Sequence, residues 1–174
     1  AGRFRVRLLW PDGTPLTWRT TPGFPQPKLS KTGKINELMV DVASVKPPKT
    51  PIGAPARFQR LGALEATTYT GWADISRLMA PLYAKASELS ADSSLRPEIA
   101  AIAAASADPK IRAFKALQLV EDKTRYLFLG MGDGGYKPAS ANETWARRFG
   151  DCKGKTVLLL AVLRELGVEA EPVL

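Results

Sequence analysis

The chain has 174 residues, no histidine and one cysteine, Cys152. The missing histidine removes the imidazole that usually takes the proton from a cysteine nucleophile. A catalytic cysteine here needs its proton acceptor from outside these residues; otherwise Cys152 is structural. A lone cysteine excludes an internal disulfide and leaves the redox compartment open. Apolar runs are short. The longest, Val157 to Leu163, suits a core helix and falls far below the ~18 residues of a membrane span. Phosphate-loop and dinucleotide motifs are absent: Gly130-Met131-Gly132 lacks a third glycine at the right spacing and a strand–helix setting. Asp133, between Gly132 and Gly134, has no second carboxylate at calcium-ligand spacing. No metal or cofactor is expected. No signal peptide is visible, and Ala1-Gly2 runs straight into a strand pattern, as if the chain started inside a domain.

What is present is uneven. Hydrophobic residues make up 45% of the chain, enough for a packed core. The net charge is +8, and all of the excess lies early. Residues 1–60 carry 11 Lys+Arg against 3 Asp+Glu, whereas residues 61–174 carry 14 of each. Nine of the 14 prolines also fall within residues 1–60. This break predicts a β-rich region over 1–66 and a mainly helical one over 67–174.

Arg3, Arg5 and Arg7 alternate with Phe4, Val6 and Leu8, the period-two pattern of a strand with one wet face. That face is either solvated or a polyanion-binding surface. Phe4 and Trp10 build no stacking platform on the arginine side, so nucleic acid is not expected. Asp12-Gly13 signals a hairpin turn with Leu16–Arg19 as the return strand. Thr21–Ser30 reads as irregular loop, Lys34–Val42 as a strand, Lys46–Pro55 as a proline-rich linker, and Arg57–Tyr69 as a last strand. Helical spacing then takes over. Ile75, Leu78, Met79, Leu82, Ala86 and Leu89 mark an amphipathic helix that Pro81 should kink or restart. Residues 95–106 form a second helix with Pro97 near its start. Asp108 caps a third through Lys123, with Ile111, Phe114, Leu117 and Val120 on one face. Leu127–Pro138 is a glycine-rich loop and Asn142–Phe149 a short helix. Cys152–Leu166 is a buried helix ended by Gly167, and Val168 onward starts a strand.

Gly150-Asp151-Cys152-Lys153-Gly154-Lys155-Thr156 places the cysteine at the start of that buried helix. A thiol there meets the unpaired N–H groups and the positive end of the helix dipole, which favour thiolate. Asp151 can cap the following N–H groups, and its charge partly offsets that pull; Lys153 and Lys155 act the other way.

Gly135-Tyr136-Lys137-Pro138, Asn142-Glu143-Thr144, Arg147 through Lys155 and Leu163 through Ala170 together resemble the bacterial transglutaminase-like proteins, which are papain-like cysteine enzymes. The resemblance covers about residues 68–174. It implies an α+β fold: the closing strands of a β-sandwich-like domain of unknown function, then the helical N-terminal part of a transglutaminase-like core. It also implies a Cys–His–Asp triad in which only Cys152 has a counterpart here, the histidine and aspartate lying on strands beyond Leu174. The chain given would then be inactive by itself. The reaction would be acyl transfer to water or an amine from a protein or peptide amide. The backbone N–H of Cys152 would be one oxyanion donor, with Tyr136 and Asn142 as candidates for the second by chain proximity, or else as loop packing and helix cap. The family commonly has Asp where Gly154 stands. The resemblance places the protein in the periplasm or outside the cell. An exposed strand at Val168–Leu174 predicts pairing with another copy. The competing reading is a non-catalytic module whose basic β-region holds an anionic partner.

Overall fold

A computed structural model describes residues 2–44, 49, 51–55 and 62–173, with the backbone alone for Asp133. The fold is α+β. It divides into two compact units, Ala1–Ile75 and Ser76–Leu174.

The first unit holds five strands: β1 (Arg3–Pro11), β2 (Thr17–Thr20), β3 (Lys28–Thr32), β4 (Ile35–Ala43) and β5 (Leu64–Thr67). β4 lies between β1 and β3 in an antiparallel sheet, and β2 pairs with β5 in a second. Leu38 and Val40 on the central strand β4 are its buried apolar residues. The Asp12-Gly13 turn does not make the expected hairpin. The strand after it, β2, pairs with β5, while β1 pairs with β4 from Arg3↔Ala43 to Pro11↔Ile35. A nine-residue partner at matched register offers β1 a far longer ladder than a four-residue return strand. The proline-bearing segment before β4 is also not wholly irregular: β3 forms there. A two-residue turn with Gly33 at φ +59 joins β3 to β4, and hairpin turns of that length favour glycine for its left-handed backbone. Residues 45–48, 50 and 56–61, which include parts of the expected linker and last strand, lie outside the described residues.

The arginine face of β1 is answered across the sheet. Arg3 and Arg5 both reach Asp41, each at 2.5 Å, and Arg7 reaches Glu37 at 2.6 Å. Hydrogen bonds from Arg3 and Arg5 hold the Asp41 carboxyl well below the usual carboxylate range.

Among the described residues the helices are α1 (Trp72–Ala86), α2 (Arg96–Ala105), α3 (Pro109–Lys123), α4 (Ala141–Arg147) and α5 (Cys152–Glu165). β6 (Arg125–Tyr126) and β7 (Phe149–Gly150) form a short parallel pair. α1 continues through Pro81 instead of restarting there. Asp108 caps α3 as expected, its Oδ1 accepting the Lys110 N–H at 2.8 Å. α5 is the centre of the second unit's core: Val157, Leu158, Ala161 and Val162 pack with Trp145, Val120, Ile99 and Leu95. Burial on several sides explains its apolar run.

One expectation holds in part here and another fails. The apolar face of α3 is buried only in part: Val120 is buried, together with Ala116, whereas Ile111, Leu117 and Phe114 are exposed, Phe114 by 60%. Ala116 and Val120 join the core cluster, and Ile111, Phe114 and Leu117 lie outside it. Val168–Val173 has no regular structure where a strand was expected; among the described residues no strand pairs with it. α5 itself ends as Gly167 predicts. Gly167 takes φ +72, its N–H bonds Arg164 O at 3.1 Å, and the Val168 N–H bonds Leu163 O at 2.9 Å.

Arg112 on α3 ties three carbonyls together: Ser106 O at 2.7 Å, Leu166 O at 3.2 Å and Ala103 O at 3.3 Å. These belong to the C-terminal ends of α2 and α5, where the helix dipole also favours a cation. Arg112→Met should lower the unfolding free energy by about 1.5–3 kcal/mol, the scale of charged hydrogen bonds in a half-buried setting. Urea denaturation followed by helix circular dichroism measures it; an unchanged midpoint would contradict the clamp.

Candidate functional site around Cys152

The chain reaches Cys152 through a sharp reversal. Ser140 caps α4, its Oγ accepting the Glu143 N–H at 3.2 Å. α4 ends at Arg148, which adopts a left-handed backbone at φ 60 and lays its guanidinium 3.5 Å over the Trp145 ring. β7 follows. Arg148 O and Gly150 O accept the N–H groups of Arg125 (2.9 Å) and Leu127 (3.0 Å), so the residues before the helix are held by a sheet.

Two glycines then allow a close crossing. A Cβ on Gly150 would stand 2.9 Å from Thr144 Cγ2, and one on Gly154 would stand 3.0 Å from Thr144 Oγ1. Thr144, 1% exposed, thus fills the space that two side chains would otherwise occupy. A side chain at position 154 would require Thr144 to give way by a few tenths of an ångström. Gly150→Ala should cost about 1–3 kcal/mol through overpacking against a β-branched neighbour. Thr144→Ser removes Cγ2 and should restore much of that loss, giving a coupling in a double-mutant cycle. Additive effects would refute the contact.

Asp151 is the N-cap of α5. It is 4% exposed, and its Oδ1 accepts the Gly154 N–H at 3.1 Å while Oδ2 is hydrogen bonded to Lys153 Nζ. Burial pushes the Asp151 carboxyl up, but the Lys153 hydrogen bond, the Gly154 N–H and the Lys153 charge outweigh it and hold it below its ordinary value. The same hydrogen bond to Asp151 raises the Lys153 ammonium. Asp151 therefore stabilises the fold above its unfolded pKa of about 3.9, and that stability drains away as pH falls toward the folded value. The stability difference between the wild type and Asp151→Asn should shrink as acid is added. A difference independent of pH from neutral to strongly acidic conditions would exclude this role.

Cys152 is the first residue of α5, and it is exposed. Its carbonyl accepts the Thr156 hydroxyl at 2.8 Å. Tyr83 of α1 is buried, and burial raises its hydroxyl; Lys153 acts to lower it, and Cys152 and Asp151 add to the rise. Sequence reading missed Tyr83, which lies 69 positions before Cys152 and carries only its i+4 spacing from Met79 as a signal. Thr144 is visible in the sequence only as part of the Asn142-Glu143-Thr144 motif; its packing against Gly150 and Gly154 carries no local signal.

The other two expected site residues are not gathered around the thiol by any contact. Asn142 has both ends of its amide engaged: Nδ2 donates to Glu88 O at 3.2 Å and Oδ1 accepts from Ser90 Oγ at 3.3 Å. Tyr136 stands 80% exposed in the loop before α4. A cavity of about 280 Å³ opens beside Asp151, walled by Leu129, Pro138, Ala139, Phe149 and Thr144.

The fold has a solved counterpart. It resembles the crystal structure of a "putative protease" from Parabacteroides distasonis, with a TM-score of 0.73 over 95% of this chain at 16% identity. This chain spans 32% of that protein's length. At such identity the likeness is one of fold. No protein-family model matches the sequence, and no curated protein matches it. Among the described residues no helix is long and apolar enough to cross a membrane.

Proposed function

We propose that this chain is the nucleophile-bearing part of a transglutaminase-like cysteine enzyme that acts on protein or peptide amides. One observation carries the reading: an exposed cysteine is the first residue of a helix whose body is fixed in the core and whose preceding residues are held by β7. A nucleophile needs such fixed support and an open face. The fold shared with the Parabacteroides protein, and the motifs from Gly135 to Ala170, support the same conclusion.

In this scheme the Cys152 thiolate attacks the amide carbon. The developing oxyanion is met by the Cys152 N–H at the positive end of α5. The amine leaves with a proton from an imidazole, and water or a second amine resolves the thioester. That imidazole and its carboxylate partner come from outside the 174 residues, which contain no histidine. Lys153 offsets the Asp151 carboxylate, so the dipole's pull on the thiol is not cancelled. Of the two candidates for a second oxyanion donor, Tyr136 is favoured, since the amide of Asn142 is already committed. The protein would work in the periplasm or outside the cell. The polyanion-binding alternative is not favoured, because Arg3, Arg5 and Arg7 already meet carboxylates.

The 174-residue chain alone should show no amide turnover. In the longer polypeptide, Cys152→Ala should lower turnover of amide substrates by about 10³-fold or more, the scale of losing a nucleophile. Mass spectrometry should find the acyl group on Cys152. Full activity in the folded Cys152→Ala protein would overturn the proposal.

A further inference from the structure

The cavity beside Asp151 is mostly apolar, with Lys137, Glu143, Arg147 and Asp151 also in its wall. Leu129, Pro138, Ala139 and Phe149 give it apolar walls. Glu143 pairs with Arg147, Asp151 pairs with Lys153, and Lys137 is not free of partners. A charged group entering would lose hydration and have to compete with these existing partners. A neutral apolar group loses little and gains the walls. At about 280 Å³ the space lies near the lower end of small-molecule pockets, roughly 300–1,000 Å³. It suits a single side chain better than an extended ligand. Asp151 is both a wall of this cavity and the chain neighbour of Cys152. Adjacent Cα atoms stand ~3.8 Å apart, so the Cys152 backbone lies one residue from that wall, although Cys152 itself does not line the cavity.

We infer that this cavity is the specificity pocket of the acyl-transfer site, and that it takes a neutral apolar side chain of the substrate. The inference rests on Cys152 being the nucleophile.

The test labels Cys152 in the longer polypeptide with N-blocked aminoacyl chloromethyl ketones bearing glycyl, leucyl, glutamyl or lysyl side chains. In each reaction the sulfur forms a bond to the methylene carbon, chloride leaves with the bonding electrons, and the thiol proton goes to buffer. Rates are divided by those of glutathione with the same reagents. The leucyl reagent should exceed the glycyl one by about tenfold or more, as apolar pockets discriminate, while glutamyl and lysyl should gain nothing. Ala139→Phe, which fills the cavity, should bring the leucyl-to-glycyl ratio close to one. Leu129→Ala, which strips a wall, should lower it, and serves if the first variant does not fold. Equal ratios for all four reagents, preference for a charged one, or a leucyl preference untouched in a folded variant would overturn the pocket while leaving the nucleophile standing. Failure of iodoacetamide to label Cys152 in the folded chain would overturn the acyl-transfer reading and the pocket with it.

Discussion

The crossing of α4 and α5 over Thr144 is the contact on which the rest of the second unit depends. Gly150 and Gly154 give up their side chains so that a β-branched residue of α4 can lie against the start of α5. The distances leave no slack on either side. This contact fixes where β7 ends, and therefore where α5 begins and where Cys152 emerges. Trp145, next to Thr144, carries the same approach into the core, against a helix buried on several sides. The reversal between the two helices needs Arg148 in a left-handed backbone, which the cation–π contact with Trp145 and two backbone hydrogen bonds to α4 help to hold. The cost of a non-glycine residue there is met by packing around it.

Electrostatics at the helix start follow from that geometry. Burial would make an isolated Asp151 carboxylate unfavourable, so the cap depends on Lys153 as much as on the backbone N–H groups. The pair is close to neutral as a whole. It satisfies part of the first turn without placing net negative charge beside the thiol. Arg112 does the corresponding work at the other end of α5, and Lys155 adds a link to the end of α3 through Thr124 O at 3.1 Å. The helix is thus held at both ends by cations of different reach, one bound to a carboxylate and the others to carbonyls.

In the first unit, charge that looks like a ligand surface in one dimension is largely internal to a sheet. Arg3, Arg5 and Arg7 share a face because a strand has period two. Asp41 and Glu37 meet them because β4 runs antiparallel at a register that sets Arg5 opposite Asp41 and Leu9 opposite Glu37. Exposed pairs of this kind contribute little each. They do lower the charge that a partner would encounter.

Local chemistry was legible in the sequence by itself. The caps at Asp108 and Asp151, the glycine end of α5, the strand pattern of β1 and the helical character of residues 72–165 all follow from preferences that act within a few residues. The position of Cys152 at a helix start belongs to this class. Non-local choices were decided only by tertiary structure. Which strand pairs β1 depended on a segment 30 positions away, and which residues of α3 are buried depended on the core that Ala116 and Val120 join. Asn142 was drawn to the carbonyl of Glu88, so its amide could not be assigned from chain proximity to Cys152. Thr144 and Tyr83 gained their places beside the helix start because packing brings distant residues together, and a side chain's surroundings are not encoded by its immediate neighbours in the chain.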